Sequence, residues 1–213
     1  MKEIKMSYTV LHIDSSPLGD HSVSRKLTAK VLAELKTNHP DTKVVTRDLG
    51  ISPLPHLSGL TIGAFFTPPE QRNEVLNEAL KLSDEVINEL FAADVIVIGA
   101  PMWNFGIPSS LKAWIDHIVR AGGTFKYGAS GPESLLSSGK KVIIVSSRGG
   151  IYTSGPMQAM DHQETYLKSI LGFIGLHDVS IIRAEGVAMG EEAVKAALQS
   201  ADDQLVETIK LVA

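Results

Sequence analysis

The chain has 213 residues with 20 basic and 24 acidic side chains, and its formal charge of -4 offers no basic field to nucleic acid or anionic lipid. It has no cysteine, which excludes a disulfide framework, a thiolate metal site and a cysteine nucleophile, and points to the cytoplasm. The length suits one α/β domain over residues 1–213, whose partners are small molecules or another copy of itself.

The opening "MKEIKMSYTV" carries lysines but neither a signal-peptide core nor a small-residue cleavage site. No apolar run approaches the roughly 20 residues of a membrane helix. "SYTVLHID" then predicts a strand, and Leu27, Val31, Leu32 and Leu35 in "SVSRKLTAKVLAELK" fall at helical spacing. "TKVVTRDLG" predicts a second strand. "LGISPLPHLSGLTIGAFFTPPEQ" reads as irregular, too apolar for a linker, and is expected to lie over a neighbouring surface. A helix follows in "RNEVLNEALKLSDEVINEL", a doubly buried strand in "DVIVIGA", a helix in "SSLKAWIDHIV" and a strand in "KKVIIVSS". "HQETYLKSILGFIG" predicts a helix, "DVSIIRAEG" a fifth strand and "EEAVKAALQSADDQLVETIKLV" the closing helix.

Strands alternating with helices imply a parallel sheet with helices on both faces, since parallel pairing needs right-handed crossovers. The fold class is therefore α/β, doubly wound, with five strands in the order 2-1-3-4-5. Ligands of such sheets sit beyond the carboxyl ends of the strands, where the strand order reverses. The loops after strands one, three and four converge there, and they read "SSPLGDHSVSRK", "PMWNFGIPSS" and "SSRGGIYTSGP".

The first loop offers the hydroxyls of Ser15, Ser16, Ser22 and Ser24 at the start of a helix, a phosphate site that needs no lysine; an ordinary helix cap explains the same serines. It is neither a Walker A loop nor a Gly-x-Gly-x-x-Gly fingerprint. In the second loop Met102, Trp103 and Phe105 offer walls for a planar ring and Asn104 an amide donor, between the stiffening Pro101 and Pro108; core or interface packing is the alternative. In the third loop Gly149 and Gly150 permit close approach of amides to a ligand edge, or form only a turn. A flavin, with a phosphate, a flat ring and a pyrimidine edge that becomes negative on reduction, suits all three. The seven histidines show no zinc-ligand spacing, so no metal is expected. "MDHQE" has residue types for acid–base work but reads as caps and solvated positions at a helix start.

The segments "SSPLGDHSVS", "DVIVIGAPMWNFGIPSSLKAWID", "RAGGTFKY", "VIIVSSRGGIY" and "LGFIGL" together resemble the flavodoxin-like, FMN-dependent NADH:quinone and azobenzene reductases of the azoreductase type 1 family. The resemblance implies that Ser16, Ser22, Val23 and Ser24 hold the FMN phosphate. It implies that Met102, Trp103, Asn104 and Phe105 line the isoalloxazine, and that Ser147, Arg148, Gly149 and Gly150 meet its pyrimidine edge. It further implies a homodimer with FMN at the interface, Tyr127 covering the partner's flavin, and Tyr152 as a substrate contact. The implied reaction is a two-electron, ping-pong hydride transfer from NADH or NADPH through FMN to quinones, azo compounds or other flat acceptors. Trp103 stands where relatives often carry tyrosine and Tyr152 where histidine occurs, two departures that bear on acceptor preference. The competing readings are a flavodoxin-like electron carrier without a nicotinamide site, for which a charge of -4 is mild, and a non-flavin binding module.

Overall fold

The computed structural model describes residues 8–212. Residues 1–7, which hold the lysines and Ser7 of the first predicted strand, lie outside the described residues. Among the described residues, seven strands and six α-helices follow in order: β1 (Thr9–Asp14), α1 (Val23–Asn38), β2 (Lys43–Asp48), α2 (Gly59–Phe66), α3 (Glu74–Ala92), β3 (Val95–Pro101) and α4 (Ser109–Ile118). The chain continues through β4 (Phe125–Gly128), β5 (Gly131–Ser134), β6 (Lys141–Arg148), α5 (Glu164–Phe173), β7 (Asp178–Glu185) and α6 (Glu191–Val212). The main sheet is parallel in the order β2-β1-β3-β6-β7, the expected 2-1-3-4-5 order with the β4-β5 hairpin inserted between its third and fourth strands.

Side-chain alternation along the strands feeds two cores, one on each face of the sheet. Val10, Val95, Val97, Ile143 and Val145 meet Leu27, Val31 and Leu35 of α1 and Ala201, Leu205 and Ile209 of α6. Leu11, Ile13, Ile96, Ile98 and Ile144 point the other way, onto Val86 and Leu90 of α3, Leu111 and Trp114 of α4, and Leu167 and Leu171 of α5. Every residue of β3 is buried, as the unbroken apolar run requires.

Two elements depart from the sequence reading. The segment that reads as irregular contains α2, capped by Ser58, whose hydroxyl accepts from the Thr61 amide at 3.1 Å. Its glycines and the prolines on either side hide the helical period. The segment also lies over a neighbour, as expected: the Phe65 ring sits under the Arg120 guanidinium and Leu54 is buried. The hairpin of β4 and β5 also goes unpredicted, being four residues per strand with polar positions facing out.

The open margins of the sheet carry polar side chains. On β7 the Gln204 side chain accepts from the Arg183 amide at 3.0 Å and donates to the Arg183 carbonyl at 3.2 Å. On β2 Arg47 is drawn onto Glu89 and Glu85 of α3. No helix among the described residues is long and apolar enough to cross a membrane.

Candidate functional site

The first loop leaves β1 stapled to β3: the Ser15 hydroxyl donates to the Gly99 carbonyl at 2.6 Å. Ser22 is the N-cap of α1, its hydroxyl accepting from the Arg25 amide at 3.3 Å and lying 3.1 Å from that of Ser24. The Ser16 hydroxyl accepts from the Leu18 amide at 3.3 Å. Ser16, Ser22 and Ser24 are all buried, so the cap geometry is real, yet the amides of Val23 and Ser24 donate to no group among the described residues. A buried helix start with open donors calls for an acceptor from outside.

What fixes this loop comes from residues that no local motif marks. The Arg25 guanidinium donates from Nε and Nη2 to the Ser16 carbonyl at 3.0 and 2.8 Å, pairs with Asp48 at the end of β2, and reaches Asp14 at 3.5 Å. The hydrogen bonds from Arg25 hold the Asp48 carboxyl below the usual carboxylate range, against the opposing pull of burial. Gly50 makes the close approach possible, since a Cβ there would lie 2.1 Å from the Ser16 carbonyl oxygen. Arg25 is therefore committed beneath the loop and its charge is matched by two aspartates.

The second loop is a tight turn in which Trp103 and Gly106 exchange backbone hydrogen bonds at 3.0 and 2.9 Å. Its central residues, Asn104 and Phe105, have φ of 47° and 68°. Positive φ at both central positions is the type I′ pattern, which glycine and asparagine favour and phenylalanine does not. Such a conformation persists only where its surroundings impose it. Here the Met102 amide donates to the Ser147 carbonyl at 2.8 Å and the His162 amide to the Phe105 carbonyl at 3.0 Å, pinning the turn on both sides. The Asn104 and Phe105 amides donate to no group among the described residues. Trp103 is 44% exposed, too open for a core residue.

The third loop follows β6. The carbonyls of Arg148, Gly149 and Gly150 accept from the amides of Val187, Ala188 and Gly186, which leaves the amides of Gly149 and Gly150 without an acceptor among the described residues. The Tyr152 ring packs beside Gly150, within 3.4 to 3.6 Å of where a Cβ would stand, and meets Phe105 edge-on at 6.2 Å between centroids. The Arg148 side chain is fully buried and turns inward, so that only its backbone is left to face a ligand edge. Its guanidinium binds Glu164, Asp161 at 3.0 Å and Glu185 at 3.1 Å, and Nε donates to Ser146 at 2.9 Å. Gln163 is buried too, accepting from Ser146 at 2.6 Å and donating to the Ala100 carbonyl at 2.9 Å, so it ties β3 to β6 under both loops. This corrects the reading of "MDHQE" as solvated: Asp161 does cap, accepting from the amides of Gln163 and Glu164, but Gln163 and Glu164 are structural and buried.

The structure thus brings the named residues of the three loops, with Tyr152, to one end of the sheet. Tyr127 stands apart: it lies on β4 against Phe125, which packs on Phe173 at the end of α5 remote from Glu164. Beside the first two loops a cleft of about 680 Å³ opens between Ser15, Pro17, Gly50, Trp103, Asn104 and Pro108. Open amides on three loops, hydroxyls at a helix start and flat apolar walls, with no unpaired cation among them, form a donor set for an acceptor-rich planar ligand with an anionic tail. FMN fits that description.

A parallel sheet of this order with its ligand loops at the switch point defines a flavodoxin-like protein. A family model described as "Flavodoxin-like fold" matches residues 8–209, and the chain belongs to that family. It is 53% identical over 200 residues to an FMN-dependent NADH:quinone oxidoreductase of Herminiimonas arsenicoxydans, covering 94% of this chain and 98% of that one. It is 49% identical over 198 residues to the protein of the same name from Azotobacter vinelandii, covering 93% and 98%. Among solved structures it resembles an FMN-dependent NADH-azoreductase from Bacillus anthracis str. Ames Ancestor in complex with FMN, with a TM-score of 0.86, 27% identity and coverage of 97% and 99%. An azoreductase from Bacillus anthracis str. Sterne matches with a TM-score of 0.83, 31% identity and coverage of 96% and 98%.

Proposed function

We propose that the protein is an FMN-dependent NADH:quinone oxidoreductase that also reduces aromatic azo compounds. The observation that carries this reading is the convergence of open backbone amides from three loops on one end of the sheet. When bound, FMN supplies the two-electron chemistry, accepting a hydride from NADH and delivering reducing equivalents to a quinone or azo acceptor. The Val23 and Ser24 amides and the Ser16 and Ser22 hydroxyls hold its phosphate, with the α1 dipole adding to them. The turn at Asn104 and Phe105 offers pre-set donors beside the Met102 and Trp103 side chains. The Gly149 and Gly150 amides, with the Ser147 backbone, face the edge on which negative charge develops. Tyr152 lines the acceptor side, where it or a water supplies the accompanying proton. A flavodoxin-like carrier is disfavoured because the curated relatives named above are NADH:quinone oxidoreductases rather than carriers.

Anaerobic stopped-flow absorbance tests the reading. FMN-loaded protein mixed with NADH is expected to bleach and to regain its yellow colour on addition of a quinone. Failure of both NADH and NADPH to bleach it would sink the oxidoreductase assignment.

The working form is a homodimer. Supporting this, α2 exposes Leu60, Ile62 and Phe66, the last at 82%, and Tyr127 stands 74% exposed on its hairpin, apolar surface that a second copy would cover. Tyr127, distant from the three loops of its own chain, serves the partner's site. Sedimentation velocity is expected to give a species of twice the 22.9 kDa chain mass, and Phe66→Ser to shift it toward monomer; a wild-type monomer at micromolar concentration would refute the assignment.

A further inference from the structure

Arg148 and Glu185 end adjacent strands in register and face each other at the carboxyl edge of the sheet. Glu185 does more than pair with Arg148. Its carboxylate accepts from the Tyr152 amide at 2.8 Å, the Thr153 amide at 3.2 Å and the Thr153 hydroxyl. Arg148 is fixed in turn by Asp161 and Glu164, and Glu164 is gripped by Arg183 at 2.7 and 2.8 Å. The cluster holds three carboxylates and two guanidiniums, and Glu185 is the member that reaches out of it to the loop after the glycine pair. Among the described residues, no other side chain accepts from the Tyr152 amide. The Tyr152 ring is then placed by Gly150, which leaves room for it, and by Phe105.

We propose that Glu185, held by Arg148, is a positioning residue for the acceptor side of the site: it holds the backbone at Tyr152 and Thr153 and so sets where Tyr152 stands. The proposal rests on the flavin reading for its catalytic consequence but not for its structural one. A charged acceptor shared by three donors on consecutive residues holds a loop more firmly than a neutral one, because hydrogen bonds to ionised groups are the stronger kind. Gln at this position keeps the volume and loses the charge. Its oxygen still accepts from the two amides and its nitrogen donates to the Thr153 hydroxyl, so what is lost is the charge that strengthens these bonds and the pairing with Arg148.

Hydrogen exchange of the FMN-free protein tests the structural half. In Glu185→Gln, peptides covering 149–155 are expected to exchange about tenfold faster, one strong hydrogen bond's worth, with β3 and β6 unchanged. At saturating FMN the variant is expected to raise KM for a quinone by about three- to tenfold, with a much smaller change in kcat, whereas a general loss of folded enzyme lowers kcat and leaves KM alone. Should Glu185→Gln fail to fold, Thr153→Val removes one donor to the same carboxylate and leaves the cluster intact; the same exchange change is then expected at smaller size. Unchanged exchange of 149–155 in both variants overturns the proposal whatever FMN does. Altered exchange together with a wild-type protein that does not quench FMN fluorescence upholds the positioning role and refutes the flavin reading instead.

Discussion

The two ends of the candidate site rest on the same kind of support used in different ways. Under the phosphate side, Arg25 donates directly to the backbone of the loop, at the Ser16 carbonyl, and Asp48 and Asp14 balance its charge. Under the ring side, Arg148 donates only to side chains, and its influence passes through Glu185 and Gln163 to the loops above. Arg25 keeps 14% of its side chain exposed and Arg148 keeps none. The difference teaches where the cations of this protein go. Each arginine in a ligand-loop motif is spent beneath the loop, and what faces the ligand is neutral: amides, hydroxyls and aromatic rings.

Breaking the ring-side support is expected to have the largest effect. Arg148→Met strands Asp161, Glu164 and Glu185 without their shared partner, and loss of the fully buried member of such an ion cluster costs about 3–5 kcal/mol. Thermal melting should report it as a drop of about 2–4 °C per kcal/mol for a chain of this size. Arg25→Met is expected to cost less, about 1–3 kcal/mol, because water reaches Asp48 and replaces part of what is lost. Equal losses at the two sites would erase the contrast between them.

The smallest expected effect is a pH dependence that sharpens it. Arg25 keeps the Asp48 carboxyl below its ordinary value, so the folded state releases this proton more readily than the unfolded chain does. The resulting stability is complete above the unfolded value near about 4 and is lost as pH falls through the lower, folded one. Asp48→Asn should therefore flatten the acid limb of melting temperature against pH, below about pH 4, while leaving neutral pH to show only the lost ion pair. An acid limb identical to that of the wild type would show that the tie carries no linked proton.

The parallel sheet was legible because its strands are short β-branched runs and its long helices keep one apolar face, as at Leu80, Val86, Ile87 and Leu90. The α2 helix was not, since Gly59 and Gly63 weaken its propensity and capping by Ser58 rather than periodicity starts it. In the site, "MWNF" and "SRGG" stand out by residue type alone. The function of the Arg148 side chain does not, because its carboxylate partners lie up to 37 residues away in sequence and meet it only through strand register. Ser22 shows a different limit: cap and ligand-loop readings of one serine are not alternatives, since the same N-cap that satisfies the Arg25 amide leaves those of Val23 and Ser24 open.

The side-chain amide of Gln204 lies along β7 much as another strand would, giving and taking one hydrogen bond at Arg183. A foreign chain approaching that margin finds the rung already filled by a group too short to carry the ladder onward. That rung of the β7 margin is therefore closed to edge-to-edge pairing without a proline or a bulge, by a side chain from the helix that follows the strand.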